Sequence, residues 1–268
     1  MSWAAHSVPA AHGVASEAPP AHAGVQALLR ACERGLGGLV DGVAGLLVLA
    51  DIGVLLAGVI ARFVLHQPLV WSDELASMLF IWLAMLGAVI ALRRGEHMRM
   101  TALLSRITPE RRALFEALAL CAALAFLAMV LEPAWEYASE EQYITTPALE
   151  VSNLWRAAAL PTGIALMMVF AALRLLRESP WRAAVSAAAI VGVVIGAFWL
   201  GSSLFEDLGR WNLLIFFVGV GAGCVFAGIP IAFAFGLATF GYLALGTTTA
   251  LPVIVGRMDE GMSHLILL

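Results

Sequence analysis

The segment LASMLFIWLAMLGAVIAL, residues 75–92, decides the fold class of this protein. It is 18 residues long and carries no charged side chain. An α-helix of that length extends about 27 Å, close to the roughly 30 Å thickness of a bilayer's hydrocarbon core. Asp73 and Glu74 precede the segment, and Arg93 and Arg94 follow it directly. An uncharged stretch with charges at both ends predicts a membrane-spanning helix.

Stretches of the same kind recur along the chain and predict an all-α, polytopic integral membrane protein. A further apolar stretch, 213–245, is interrupted at Gly228-Ile229-Pro230. Because proline does not continue a helix, we expect either a tight helical hairpin with Gly228 and Pro230 in its turn or a pair of partly spanning helices. The five predicted spans are Leu39–Phe63, Leu75–Leu92, Ala113–Leu131, Ala157–Leu176 and Ala183–Leu204.

The composition of the 268 residues agrees with a lipid environment. Hydrophobic residues make up 62 % and charged residues 13 %, and the mean hydropathy is +0.92. A net charge of −4 argues against a nucleic-acid partner, which requires a basic surface. The three cysteines, Cys32, Cys121 and Cys224, lie far apart in the sequence and are expected to be small buried hydrophobes rather than disulfide or metal ligands.

The first 34 residues are expected to form a disordered cytoplasmic tail. The first 25 are rich in Ala, Pro, Gly and His and carry one charge, Glu17. No basic start is followed by a continuous apolar stretch, so the pattern is not that of a cleaved signal peptide. His6, His12 and His22 are irregularly spaced without accompanying cysteines, which favours a disordered tail over a metal-binding tract.

The basic residues predict the orientation of the spans. All fifteen are arginine. Eleven fall on one side of the predicted spans and three on the other, with Arg257 left out of the count. By the positive-inside rule, the N-terminus and the loops at 93–112 and 174–182 are cytoplasmic. The eleven are Arg30, Arg34, Arg93, Arg94, Arg99, Arg106, Arg111, Arg112, Arg174, Arg177 and Arg182; the three are Arg62, Arg156 and Arg210.

The turn between spans 1 and 2 carries opposite charges. Arg62 ends span 1, and Asp73 and Glu74 open span 2 on the same side, so a salt bridge from Arg62 to Glu74 or to Asp73 is available. Trp71, Glu74 and Trp82 share one helical face. We expect these five residues to fix the turn and to pack against or dock a neighbouring subunit. The alternative is an interfacial Trp71 followed by ordinary packing.

Asp51 lies in the middle of predicted span 1. A charge at the centre of a bilayer costs at least about 2.5–3.5 kcal/mol on insertion scales, so this carboxyl is expected to face protein and to have a partner or be protonated. A lone carboxylate is a poor sodium site, because a hard cation requires several oxygen ligands. A packing or assembly hydrogen bond is therefore favoured over ion coupling.

Two further charged sets have candidate roles. An acidic set with a spacing of four stacks on one helical face and is either a solvated surface or a patch that helps to receive a soluble periplasmic protein. A basic set after span 2 is expected to determine topology and to contact anionic lipids. The acidic set is Glu132, Glu136 and Glu140, and the basic set is Arg93, Arg94 and Arg99.

Residues 62–100, RFVLHQPLVWSDELASMLFIWLAMLGAVIALRRGEHMRM, resemble the signature region of the small, DctQ-type membrane subunit of TRAP (tripartite ATP-independent periplasmic) transporters. The resemblance extends over roughly residues 35–178. Its elements are Arg62-Phe63, the run Pro68-x-x-Trp71-x-x-Glu74-Leu75, Leu79-Phe80-Ile81-Trp82 with Gly87, the loop Arg93–Arg99, and Pro161-x-Gly163.

A second resemblance begins near Trp211. Residues 213–246 resemble the opening hairpin of the large, DctM-type TRAP subunit, including its Gly-Ile-Pro turn. A small subunit fused to a large one needs an extra crossing, which Ala183–Leu204 supplies. The expected division is a tail at 1–34, a four-helix small-permease domain at 35–178, a connecting helix and linker at 179–210, and the start of a large-permease domain at 211–268. The apolar final residues are expected to continue into a longer chain.

The resemblance implies a membrane component of a transporter, not an enzyme. The whole assembly would import a small organic acid, such as a dicarboxylate, across a bacterial inner membrane by sodium symport. Its implied partners are a periplasmic solute-binding protein, a large permease domain or subunit and membrane lipids. We expect no cofactor other than the coupling sodium ion, whose sites, like the solute site, are expected beyond residue 268.

Two other classes are open at this stage. A membrane-bound enzyme or electron-transfer subunit would require His pairs or a carboxylate and Cys/His cluster inside the membrane, whereas His66, His97 and His264 lie near predicted interfaces or loops. A stand-alone structural subunit would assemble with a separately encoded large permease. The haem absorption of the purified protein and the length of the native chain distinguish these alternatives.

Overall fold

The computed structural model describes residues 21–95, 108–202, 205, 209, 211–247 and 249–262. In these ranges the regular secondary structure is helical, without a strand beyond the isolated bridge between Thr145 and Ser152. The all-α prediction is confirmed. In chain order the helices are α1 Ala21–Phe63, α2 Val70–Arg94, α3 Pro109–Glu140, α4 Leu154–Glu178, α5 Trp181–Leu200, α6 Trp211–Phe226, α7 Ile231–Gly246 and α8 Leu251–Met262.

Within the described residues, α1 to α5 are each long and apolar enough to cross a membrane. They correspond to the five predicted spans, and the chain is a multi-pass membrane protein. The last span is shorter than predicted, because α5 ends at Leu200 rather than Leu204 and is followed by Gly201. The two helices of the apolar 213–245 stretch are too short to qualify as full spans by the same criterion.

The prediction of a disordered tail is wrong for residues 21–34. The first helix begins at Ala21 and runs 43 residues without a break. Leucine, alanine and arginine over residues 27–34 are good helix formers, and extending an existing helix avoids the unfavourable nucleation step. Arg30, Glu33 and Arg34 interrupt the apolar pattern here, so this extension does not resemble part of a membrane span. Residues 1–20 lie outside the described residues.

The core is formed chiefly by α2, α3 and α4. Ile81 and Val89 of α2, Leu127 of α3 and Leu160 of α4 are among its most buried side chains. α1 packs against α2, and α5 packs against α3. Large aliphatic side chains remain exposed along α1 and α5. In a lipid solvent this exposure carries no penalty, since hydrocarbon replaces water around them.

Successive helices run in opposite directions and give the bundle two ends. One, the arginine end, carries Arg93, Arg174 and Arg177. The other, the loop end, carries the turn between α1 and α2 and the segment 141–153 between α3 and α4. Among the described residues, these three arginines, which the arginine count assigns to one side of the membrane, lie at one end of the bundle.

The interruption of the 213–245 stretch is confirmed as a break between two helices. Gly228 has a φ of 82°, which a side chain would disfavour, and Pro230 immediately precedes α7. Residues 214–222 of α6 have π-helical hydrogen bonding, which widens the helix locally. Phe126 of α3 packs edge-on against Phe233 and Phe240 of α7 and so joins the hairpin to the bundle.

Candidate subunit-packing and docking sites

Arg62 pairs with Asp73, the second of its two predicted partners. The Arg62 Nη2 to Asp73 Oδ2 distance is 3.3 Å, and the pair connects the last turn of α1 to the first turn of α2. Both side chains are largely exposed, at 55 % and 67 %. Solvent screening leaves such a pair about 0–1 kcal/mol, so it guides the turn more than it stabilises the fold.

Glu74 and Trp82 hold the segment between α3 and α4, and the first turn of α4, against α2. Glu74 Oε2 accepts a hydrogen bond from the Ala148 backbone N–H at 2.7 Å. Trp82 Nε1 donates to the Trp155 carbonyl at 2.8 Å. This face of α2 therefore makes contacts within the chain, while Trp71 at its start is exposed. Docking of a further subunit by these residues stays a prediction.

Asp51 is buried in α1, with 8 % of its surface exposed. Val40, Ala44 and Ala61 are buried on the same helix, which packs chiefly against α2, so the carboxyl faces protein. Its Oδ1 atom has no hydrogen-bond partner among the residues that the structure describes. The choice between an assembly role and ion coupling stays open for this residue.

Arg93 forms a packed ion pair with Asp41 at the arginine end. Its Nη2 lies 2.7 and 2.5 Å from the two carboxylate oxygens of Asp41, and its guanidinium stands 5.9 Å from the Phe170 ring centre. The side chain is 15 % exposed. This guanidinium therefore ties α1, α2 and α4 together, while its contact with lipid stays a prediction. Arg94 is exposed, as a lipid contact requires; Arg99 lies outside the described residues.

A second cross-link at the arginine end was missed by the sequence reasoning. Arg177 of α4 forms an ion pair with Glu33, in the part of α1 that was expected to be disordered. Arg174 adds a pair with Glu178 at 2.7 Å. The Arg177–Glu33 pair joins positions 144 residues apart, and no local spacing signals it. This pair explains how the polar beginning of α1 is held on the bundle.

The acidic set lies on the exposed face of α3 at the loop end. Glu132, Glu136 and Glu140 are all exposed, and large exposed side chains such as Trp135, Tyr143 and Trp155 lie in and beside the same segment. The segment itself is ordered by the Thr145–Ser152 bridge and by a hydrogen bond from Ser152 Oγ to the Gln142 carbonyl at 3.0 Å. This surface is acidic and aromatic; its docking role stays a prediction.

The most buried charge of the described residues was not singled out from the sequence. Asp259 of α8 is completely buried, forms an ion pair with Arg156 of α4, and accepts a hydrogen bond from the Tyr137 hydroxyl of α3 at 3.0 Å. Burial raises the pKa of the Asp259 carboxyl above its ordinary value, while Arg156 and Tyr137 act to lower it. Separations of 103 and 122 residues put the network beyond local patterns.

A cavity of about 550 Å³ lies between α3, α5 and the α6–α7 hairpin. Its lining is apolar and includes Ala122, Val194, Phe216 and Phe240. Within the part of the chain that the structure describes, no charged side chain lines it that could orient a carboxylate. Among the described residues there is also no cluster of three His, Cys, Asp or Glu side chains suited to a metal ion.

Comparison with known proteins adds the family. The model of the DctQ component of tripartite ATP-independent periplasmic transporters matches residues 51–181. The sialic acid TRAP transporter small permease protein SiaQ of Vibrio cholerae is 30 % identical over 125 residues, 46 % of this chain and 71 % of that protein. The C4-dicarboxylate TRAP transporter small permease protein DctQ of Rhodobacter capsulatus is 31 % identical over 101 residues, 37 % of this chain and 44 % of that protein.

A larger relative matches a shorter stretch. The sialic acid TRAP transporter permease protein SiaT of Haemophilus influenzae is 40 % identical over 73 residues, 27 % of this chain, and the match covers only 12 % of that protein's length. All these relatives are permease components and not enzymes. The chain is therefore a membrane component of a transporter, and it belongs to the DctQ family of tripartite ATP-independent periplasmic transporters.

Proposed function

We propose that this chain serves as the scaffold of a secondary active TRAP transporter that imports a small organic acid. A periplasmic binding protein delivers the solute, and a sodium gradient drives its entry. The observation that carries the proposal is that the DctQ match, residues 51–181, covers the α2–α4 core and the part of α1 that packs on it. The four helices bury their faces against each other and against the helices that follow.

The scaffold role is supported by the way the described charges are used. Two ion pairs with a largely buried arginine or carboxylate lie within the chain at either end of the bundle, Arg93 with Asp41 and Arg156 with Asp259. The cavity between α3, α5 and the hairpin is apolar. In this proposal the solute and sodium sites belong to the large-permease part, beyond residue 268.

We further propose that the small-permease region is fused to the beginning of a large-permease region. The family match ends at Trp181, the first residue of α5. The boundaries proposed are 35–178 for the small-permease region, 179–210 for the connection and 211–268 for the start of the large-permease region. One additional span, α5, reverses the side from which the hairpin begins, as a fusion requires.

The substrate class rests on two supports. The resemblance implies an organic acid, and the names of the relatives contain sialic acid and C4-dicarboxylate, which are both carboxylates. These names belong to those proteins and leave the individual solute of this chain open. An organic anion also suits transport driven by sodium, because the cation offsets its charge.

The orientation proposed places the chain in a bacterial inner membrane with the arginine end in the cytoplasm. The loop end, with its exposed glutamates, then faces the periplasm. Cys32 on the polar beginning of α1 is exposed and provides a probe. In intact cells a maleimide that cannot cross the inner membrane should leave Cys32 unlabelled until that membrane is permeabilised. Labelling of Cys32 in intact cells would contradict the proposed orientation.

Uptake measurements test the transport proposal. The native membrane component is reconstituted in vesicles with its binding protein, and labelled sialic acid and succinate are offered as probes under an inward sodium gradient. We expect uptake of an organic acid that stops without sodium or without binding protein. Equal uptake under a potassium gradient, or without the binding protein, would contradict the proposal.

A stand-alone structural subunit is the second candidate. It is favoured by the relatives that are themselves called small permease proteins. In that case this chain would assemble with a separately encoded large permease, and uptake would require both polypeptides. Purification of the native component decides between one polypeptide and two.

A further inference from the structure

Helix α8 presents a carboxylate on its packed face. Ile254, Val255 and Asp259 are buried, whereas Arg257 and Glu260 pair with each other in solvent. A buried aspartate among aliphatic side chains is costly unless its charge is matched. α8 therefore requires a cation in a fixed position on the surface that receives it.

Tyr137 and Arg156 supply the matching groups from two helices of the bundle. The Tyr137 hydroxyl donates to Asp259 Oδ2 at 3.0 Å, and Arg156 Nη2 forms an ion pair with the same oxygen. The Asp259 side chain is 1 % exposed. Water therefore screens this pair far less than it screens Arg62 and Asp73.

The position of Arg156 is fixed from within the small-permease region. Its backbone N–H donates to the Asn153 carbonyl at 3.0 Å, and the amide of Asn153 donates to Glu141. The neighbouring Trp155 carbonyl accepts from Trp82 of α2. None of these contacts involves α8, so the backbone that carries Arg156 is positioned independently of the helix that it binds.

We propose that Tyr137 and Arg156 form a docking site at the loop end for an acidic side chain of the permease segment that follows, and that Asp259 occupies it. The site fits an amphipathic helix that carries one carboxylate beside aliphatic residues. It selects its partner by charge, because a neutral or basic side chain at this position cannot form the ion pair with Arg156. Assigning α8 to a large-permease region rests on the proposed function; the docking site itself does not.

The site has a consequence for the mechanics of the chain. α8 is held against α3 and the start of α4, so it is attached to the small-permease bundle. The chain between α5 and α6 is the covalent attachment of the later helices to the small-permease bundle. The contact of Asp259 with Arg156 and Tyr137 is a second attachment, and it is non-covalent. In an assembly of separate subunits, the same pair would form part of the subunit interface.

Hydrogen exchange of the full chain in lipid nanodiscs, followed by mass spectrometry, tests the docking site. We expect Asp259→Asn and Arg156→Gln each to speed exchange of the α8 amides about 100-fold, since a buried pair is strongly weakened when one partner is lost. Exchange in α2 should not change, which shows that the bundle remains folded. The exposed pair provides matched controls: Arg257→Gln and Glu260→Gln should leave α8 protection unaltered.

A charge exchange separates recognition from packing. The double variant Arg156→Asp with Asp259→Arg should recover part of the α8 protection that either single reversal loses. Unchanged α8 protection in both neutral variants would overturn the proposal, as would a double variant no better than the single reversals. Hydrogen exchange is measured without solute, so it tests the docking site independently of transport. If the exchange results support the docking site but no uptake is observed, only the proposed transport function is contradicted.

Discussion

Replacing Gly163 by alanine tests how closely α2 and α4 approach each other. A Cβ atom at position 163 would lie 2.6 Å from Met85 Cε and 2.9 Å from Met85 Cβ. The Cε atom ends a flexible side chain and can turn away, but the Cβ atom is fixed to the backbone of α2. Carbon atoms in contact normally stay about 3.5–4.0 Å apart, so the two helices must separate locally.

The cost follows from the burial of the site. Gly163 and Met85 are both buried in the core shared by α2 and α4. Overpacking of a close-packed core costs about 1–3 kcal/mol. At about 2–4 °C per kcal/mol for a chain of this size, Gly163→Ala should lower the unfolding temperature by about 2–12 °C. Thermal unfolding of the purified protein in a mild detergent, followed by tryptophan fluorescence, measures this shift.

Gly87→Ala is the matched control. Gly87 lies two residues from Met85 on the exposed side of α2, and no atom would lie within 4 Å of an added Cβ. Alanine also favours a helix over glycine, so this variant should be neutral or stabilised by up to about 1 kcal/mol. An unfolding temperature of Gly163→Ala equal to that of the wild type, or an equal loss in Gly87→Ala, would refute the close approach.

Three further variants test the remaining contacts. Asp41→Asn should lower stability by about 1–2 kcal/mol because its arginine partner is mostly buried, whereas Asp73→Asn should change it by less than about 1 kcal/mol; equal losses in thermal unfolding would contradict this ranking. Trp82→Phe removes the hydrogen bond to the Trp155 carbonyl and should cost about 1 kcal/mol in the same assay; an unchanged midpoint would argue against that bond. Changing the acidic set to glutamine should lower the affinity for the periplasmic protein and make that affinity less dependent on salt. Titrations at two salt concentrations measure both effects, and an unaltered affinity would leave the surface without a docking role. That set is Glu132, Glu136 and Glu140.

The fold could be predicted from local sequence because a bilayer imposes a length and an apolarity on every crossing. Both properties are visible in stretches such as 75–92. The break at Pro230 was also predictable from local sequence, because proline lacks the backbone N–H that a continuing helix needs. The helical start of α1 was not, because charged residues interrupt its apolar pattern and its support comes from Arg177 at the far end of the small-permease region.

The contacts of the site depended on information that local sequence does not contain. Arg62 and Asp73 are 11 residues apart across one turn, so their pairing was available from topology. Arg93 and Asp41 share an end of the bundle, but only the packing of α1 on α2 selects this pair from the other charges there. Asp259 has partners more than 100 residues away and lies in a helix too short to be recognised as a span.

The mass of the native component tests the central claim most directly. An antibody against residues 133–153 is used to purify the protein from solubilised source membranes, and the captured polypeptides are sized and sequenced by mass spectrometry. The account predicts one polypeptide well above 28.4 kDa that contains both this chain and large-permease sequence. A band at 28.4 kDa with no large-permease sequence, either attached or co-purified, would contradict the assignment of this chain as the scaffold of a TRAP transporter.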